Sequence, residues 1–142
     1  MTKYDIEFYE DALGDAPVLR WLRDGLSPRK RRALGMAMRR VLQVLGVGVC
    51  GTEFGRHLGK GLFEFRLRGV DLPGGGGKNV SDPAEAKMLL RVFCHAHGRK
   101  LILLVGGYDK GDDPSPRRQE SEIALARKRL RDWQGRQRPG AS

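Results

Sequence analysis

The first residues alternate: Tyr4, Ile6 and Phe8 are apolar or aromatic, with Asp5 and Glu7 between them, the period of two expected of a strand with one buried face. A change of period follows. Asp15 before Ala16 and Pro17 reads as an N-cap with proline in the first turn, and Val18, Leu22 and Trp21 then define a short helix ending near Gly25. Ser27-Pro28 repeats the start signal, Leu34, Met38, Val41, Leu42 and Leu45 fall at helical spacing, and Gly46 is the stop.

Three further strands are predicted over 62–68, 88–96 and 100–107, as an antiparallel meander. In the first, Phe63, Phe65 and Leu67 point one way and Glu64, Arg66 and Arg68 the other, so the arginines lie on the face opposite the core. In the second, Arg91, Phe93 and His95 share a face. The third is apolar through Leu101, Ile102, Leu103, Leu104 and Val105, as a strand covered on both sides is. A helix over 116–133, with Ile123, Ala126, Leu130 and Trp133 as its stripe, supplies the second cover.

These elements predict an α+β fold: a mostly antiparallel sheet of about four strands, packed by an N-terminal helical pair and a C-terminal helix. With 142 residues and 39% hydrophobic content, the chain fits one domain, expected over 1–134. Residues 69–87, with glycines 74 to 77 and Pro83, are too long for a hairpin loop and read as a flexible insertion between strands. Residues 135–142 read as a disordered tail.

Charge narrows the function. Lys and Arg number 27 against 17 Asp and Glu, a formal charge of +10, which favours a polyanionic partner. On the second helix Arg29, Lys30, Arg31, Arg32, Arg39 and Arg40 follow one another with no acid between them, so a solvated face and a phosphate-binding face compete on even terms. Cys50 and Cys94 are flanked by apolar or small residues and read as reduced thiols. The N-terminus lacks a basic region followed by an apolar run, and no stretch reads as eighteen apolar residues, so a cytoplasmic protein is expected.

Several motifs fail on context. Residues 46–51 satisfy GxGxxG but follow a helix where the dinucleotide fingerprint follows a strand. Gly77-Lys78 lacks the first glycine and the hydroxyl residue of a phosphate-binding loop. His95, His97, Cys94 and His57 have no metal-ligand spacing, so neither metal nor cofactor is expected. No GxSxG or Cys/His pattern points to acyl transfer.

The order of elements, with Pro17-Val18-Leu19-Arg20-Trp21-Leu22, Leu58-Gly59-Lys60-Gly61-Leu62-Phe63-Glu64-Phe65-Arg66, Arg91-Val92-Phe93, Leu103-Leu104-Val105-Gly106-Gly107-Tyr108-Asp109-Lys110 and Glu122-Ile123-Ala124-Leu125-Ala126, resembles the phage-derived, HigB-like branch of the RelE/ParE toxin superfamily. The resemblance implies a RelE-like fold and the toxin of a type II toxin–antitoxin pair, a ribosome-dependent, metal-independent messenger RNA endoribonuclease. Its partners would be the ribosome, messenger RNA and a cognate helix-turn-helix antitoxin, with no membrane. Arg66, Arg91, Lys110 and Tyr108 then fall at catalytic positions, with Tyr108 able to stack on a base or donate its hydroxyl. Arg68, Lys60, His57, Arg39 and Arg40 become RNA contacts.

The chain departs from the family where relatives often carry His-Gly-Phe and, one residue on, two lysines; here stand Gly106-Gly107-Tyr108 and Lys110-Gly111. Proton transfer then falls to Lys110, Tyr108 or His57. The alternatives are a ParE-like toxin that blocks DNA gyrase without cleaving anything, and an inactive, basic nucleic-acid-binding accessory protein of phage origin.

Overall fold

The alternating N-terminal residues become strand β1 (Asp5–Phe8), which pairs in parallel with the last strand of the chain. The computed structural model describes residues 3–69 and 88–137. In it α1 runs Pro17–Arg20 and continues as a π-helical segment Trp21–Gly25, and α2 runs Pro28–Ala37 before widening into a π-helical segment Met38–Leu42 and a last turn Gln43–Leu45. A 3-10 turn (Gly46–Gly51) leads to β2 (Gly55–Gly59), β3 (Leu62–Arg68), β4 (Leu89–His97), β5 (Leu101–Asp109) and α3 (Pro116–Gln137).

The fold class is α+β, with a mixed five-stranded sheet in the order β1-β5-β4-β3-β2. The expected four strands omitted β2, whose Gly-Arg-His-Leu-Gly lacks the β-branched and aromatic residues that announce a strand. Its pairing with β3 through a tight glycine-flanked turn makes it a strand. β3 to β5 form the expected antiparallel meander.

Helices cover both faces of the sheet. On one face α1 and α2 pack Val18, Leu22, Leu34, Met38 and Leu42 against Phe63, Phe65, Leu90, Val92, Ile102 and Leu104. On the other, Ala126, Leu130 and Trp133 of α3 meet Leu62, Phe93, Leu103 and Val105. Each fully buried side chain of this kind contributes about 1.5–3 kcal/mol of transfer free energy, so the uniformly apolar β5 is explained by its two covers.

Local signals hold in part. Ser27 caps α2 through Lys30 N, and Gly46, at φ 57°, ends it. Asp15 is not the N-cap of α1: Ala16 occupies that position without a side-chain cap, and Asp15 ion-pairs with Arg20 instead. Leu45, expected on the apolar stripe, is 43% exposed, in the last turn after the π-helical segment. Residues 135–137, expected in the tail, complete α3. The expected insertion, beyond Gly69, and the rest of the tail lie outside the described residues.

By length and composition Pro28–Gly51 is apolar enough to span a membrane, contrary to the sequence reading. Its Leu34, Leu42 and Val49 are fully buried in this protein's own core, while Leu45 and Val47 are exposed.

Between Phe93 and Cys94 the β4–β5 register shifts: Cys94 faces Leu104 while Phe93 faces Gly106, leaving Val105 as an extra residue in β5. Such a bulge reverses the facing of every residue beyond it. Leu104 therefore points at α2, whereas Tyr108, an even number of residues on, points to the α3 side.

Candidate nucleic-acid interface

Cross-strand registers assemble two rows on the α3 side of the sheet. Arg66 of β3 lies opposite Arg91 of β4, and Arg91 opposite Tyr108 of β5. One step along, Arg56 of β2 lies opposite Glu64 of β3, and Glu64 opposite Phe93 of β4. Directly opposed partners share a face with Cβ atoms about 4.5–5.5 Å apart, so Arg66, Arg91 and Tyr108 are brought together by pairing.

Two like charges directly opposite each other repel, and the sheet answers with a carboxylate. Glu64, whose side chain is only 1% exposed, has Oε1 3.7 Å from Arg91 Nε and Oε2 3.5 Å from Arg56 Nε. Arg91 is 13% exposed and Arg56 is half-exposed. Burial lowers the Arg91 guanidinium from its ordinary value, and Glu64 opposes that shift. Arg66 takes a different partner, donating from Nη2 to Gly55 O at 3.3 Å.

Among the described residues, Glu64 Oε1, Arg66 Nε and Arg91 Nε are buried without a hydrogen-bond partner. Unsatisfied buried polar atoms are costly, and their concentration in one cluster marks the place where an added ligand gains most. The chemistry on offer is that of an anion site: planar guanidiniums whose forks match phosphate oxygens, close to an apolar wall.

Tyr108 closes the row. It is 1% exposed, stacks on Phe93 at 6.2 Å, lies under the Arg118 guanidinium at 5.1 Å, and donates its hydroxyl to Gln119 Oε1 at 3.3 Å. Burial pushes that hydroxyl above its ordinary pKa, with Arg91 acting in the opposite sense. The ring is buried, so base stacking on Tyr108 is not available, and what remains is a neutral hydroxyl.

Lys110 follows β5 directly, and its N–H donates to Leu89 O at 2.8 Å. The preceding Asp109 fixes that strand end: Oδ1 accepts from Leu89 N at 3.0 Å and Gly111 N at 2.9 Å, and Oδ2 from Lys30 Nζ at 2.8 Å. Lys110 is therefore held beside the start of β4, half-exposed, at the end of the arginine row.

The remaining expected contacts scatter. Arg68 shares the Arg66 face and is exposed, with Nη2 3.4 Å from Glu53. Lys60 sits in the β2–β3 turn at φ 56°, lining a hollow with Arg127 and Arg131, roughly 20 Å along the strand from Arg66 at about 3.3 Å per residue. His57 is opposite Phe63 and thus on the α2 side, beside Val47 and Ala96. Arg39 and Arg40 are exposed on α2, which covers the face away from the arginine row. His57, Arg39 and Arg40 cannot serve the same phosphate as Arg66 and Arg91.

Arg56, Arg118 and Gln119 escaped the sequence reading, and Glu64 entered it only as a possible ion-pair partner of Arg66, whereas its carboxylate pairs with Arg91 and Arg56. A usable signal existed for one of them: Glu64 is the lone acid on a strand face otherwise basic, flanked by Phe63 and Phe65. Among the described residues no group of three or more His, Cys, Asp or Glu is placed to hold a metal ion. No protein-family model, curated protein or solved structure matches this chain.

Proposed function

We propose that this protein is a cytoplasmic RNA-cleaving toxin of a type II toxin–antitoxin pair, acting on messenger RNA at the ribosome. The observation that carries the reading is the row Arg66, Arg91, Tyr108, with the buried Glu64 behind it. The net charge of +10 supplies the long-range attraction to RNA that such a row needs.

The chemistry suited to this set is attack of an RNA 2′-OH on the adjacent phosphorus. The 2′-O–P bond forms, the P–O5′ bond breaks, and the products are a 2′,3′-cyclic phosphate and a 5′-OH. Arg66 and Arg91 neutralise the additional negative charge on the five-coordinate phosphorus, a role for which preorganised, partly desolvated donors are effective. One proton must leave the 2′-OH and one must reach the departing 5′-oxygen. With His57 on the far face and Tyr108 as enclosed as Glu64, Lys110, partly exposed where β5 ends, is the group we assign to this transfer.

The test is induced expression in a bacterial host. The expected result is growth arrest with translation-dependent cuts in messenger RNA, their upstream fragments ending in cyclic phosphate, and loss of both on Arg66→Ala. Intact messenger RNA during arrest would overturn the nuclease reading, and inhibition of purified gyrase in supercoiling assays would replace it with the non-cleaving one. Rescue by a co-transcribed helix-turn-helix protein is expected.

A further inference from the structure

We infer that Glu64 is a positioning residue, which fixes the Arg91 and Arg56 guanidiniums toward the phosphate and so brings Arg56 into the site. The inference rests on the RNA-cleavage reading and deepens it. A carboxylate 1% exposed cannot reach a substrate in solvent, and it is too enclosed to accept a proton from a nucleotide without displacing its neighbours. Its oxygens point instead at two guanidinium Nε atoms, one on each adjacent strand: Arg91 at 3.7 Å and Arg56 at 3.5 Å. An ion pair on the Nε side, 3.7 Å long at Arg91 and 3.5 Å at Arg56 and short of a hydrogen bond at Arg91, leaves the paired Nη groups to form the fork that a phosphate fits.

The placement follows from the pairing. Glu64 is opposite Arg56 and one diagonal step from Arg91, so a single carboxylate reaches both neighbours and holds three strands' worth of charge in register. Without it, Arg56, Arg66 and Arg91 would repel one another across a sheet surface with little water to screen them. Arg56, half-exposed, then extends the row one strand toward the sheet edge and offers a contact for the phosphate next to the one being cleaved.

Charge and geometry separate in the test. Affinity for RNA follows the number of nearby cations, whereas the rate of cleavage follows how well they are oriented. Three quantities are measured on Glu64→Gln: melting temperature, anisotropy of a labelled single-stranded RNA oligonucleotide, and single-turnover cleavage on translating ribosomes. The expected result is binding within about threefold of wild type, cleavage slower by roughly 10- to 100-fold, and a folded protein. Unchanged cleavage would overturn the inference, and so would binding and cleavage falling together with the melting temperature.

Should Glu64→Gln fail to fold, Glu64→Asp keeps the charge and withdraws the carboxylate by one methylene, with the same split expected and wild-type cleavage overturning the inference. A second readout does not depend on catalysis. In ¹H–¹⁵N spectra the Arg91 Nε–H signal, assigned by its loss in Arg91→Lys, is expected to shift and exchange faster in Glu64→Gln or Glu64→Asp while the amides of β3 to β5 stay in place. An unmoved Nε–H signal sinks the positioning role. A wild-type protein that cuts no RNA sinks the nuclease reading alone.

Discussion

Lys30 of α2 reaches across to the end of β5, where its Nζ lies 2.8 Å from Asp109 Oδ2, both side chains being buried at 12% and 4% exposure. The same carboxylate also accepts two backbone N–H groups, from Leu89 and Gly111, and so ties a helix, the start of β4 and the turn carrying Lys110 into one knot. Removing Asp109 leaves these donors without that acceptor. For Asp109→Ala the expected loss is about 3–5 kcal/mol, the usual result of breaking a buried pair by deleting one member. Urea denaturation measures it, and a change below about 1 kcal/mol, the scale of an exposed pair, would show that the knot is not holding the fold.

Arg66 and Arg91 are expected to fail differently. Among the described residues the Arg66 side chain makes one hydrogen bond, to Gly55 O, so Arg66→Ala should leave the fold nearly intact while cleavage falls about 10²–10³-fold, the usual effect of losing one transition-state donor. Arg91→Ala removes a neighbour of the buried Glu64 and should cost stability as well as activity. Thermal melts beside ribosome cleavage assays separate the two. Equal melting temperatures for both variants would contradict the buried pairing.

Tyr108 gives an alkaline signature. Burial raises its folded-state pKa, so the unfolded chain ionises first and deprotonation favours unfolding. Its contribution is complete below the ordinary tyrosine value, about 10, and is lost as pH rises through the raised folded value. Tyr9, raised by burial and by its hydrogen bond to Asp132, acts in the same sense. Melting temperature should therefore drop above about pH 10, and drop less in Tyr108→Phe, which keeps the stacking on Phe93. Parallel curves for the two proteins would refute the assignment.

Gly46 is a test of the α2 exit. Its φ is 57°, and a Cβ there would stand 2.5 Å from ring atoms of Tyr4. Strain and overlap act together, so Gly46→Ala should cost about 1–3 kcal/mol in chemical denaturation. Gly48→Ala, whose Cβ meets nothing closer than 3.8 Å, is the control and should change stability little.

The amino-acid sequence by itself determined the helices α2 and α3, the meander β3 to β5 and the facing of Arg66 and Arg68, because periods of 3.6 and 2 are local properties of the chain. Cap and stop residues did the same for Ser27 and Gly46. The row Arg66, Arg91 and Tyr108 was legible only in part. Which arginine stands opposite which depends on register, and register is settled between segments far apart in sequence. Only the tertiary structure decided that Val105 is an extra residue, which turns Tyr108 onto the arginine face and Asp109 toward Lys30. It alone decided that β1 pairs with β5, that His57 lies on the far side, and that Glu64 is buried between two guanidiniums. The physical reason is the same in each case: alternation tells a residue which way to point within its strand, and only packing between strands tells it what it meets there.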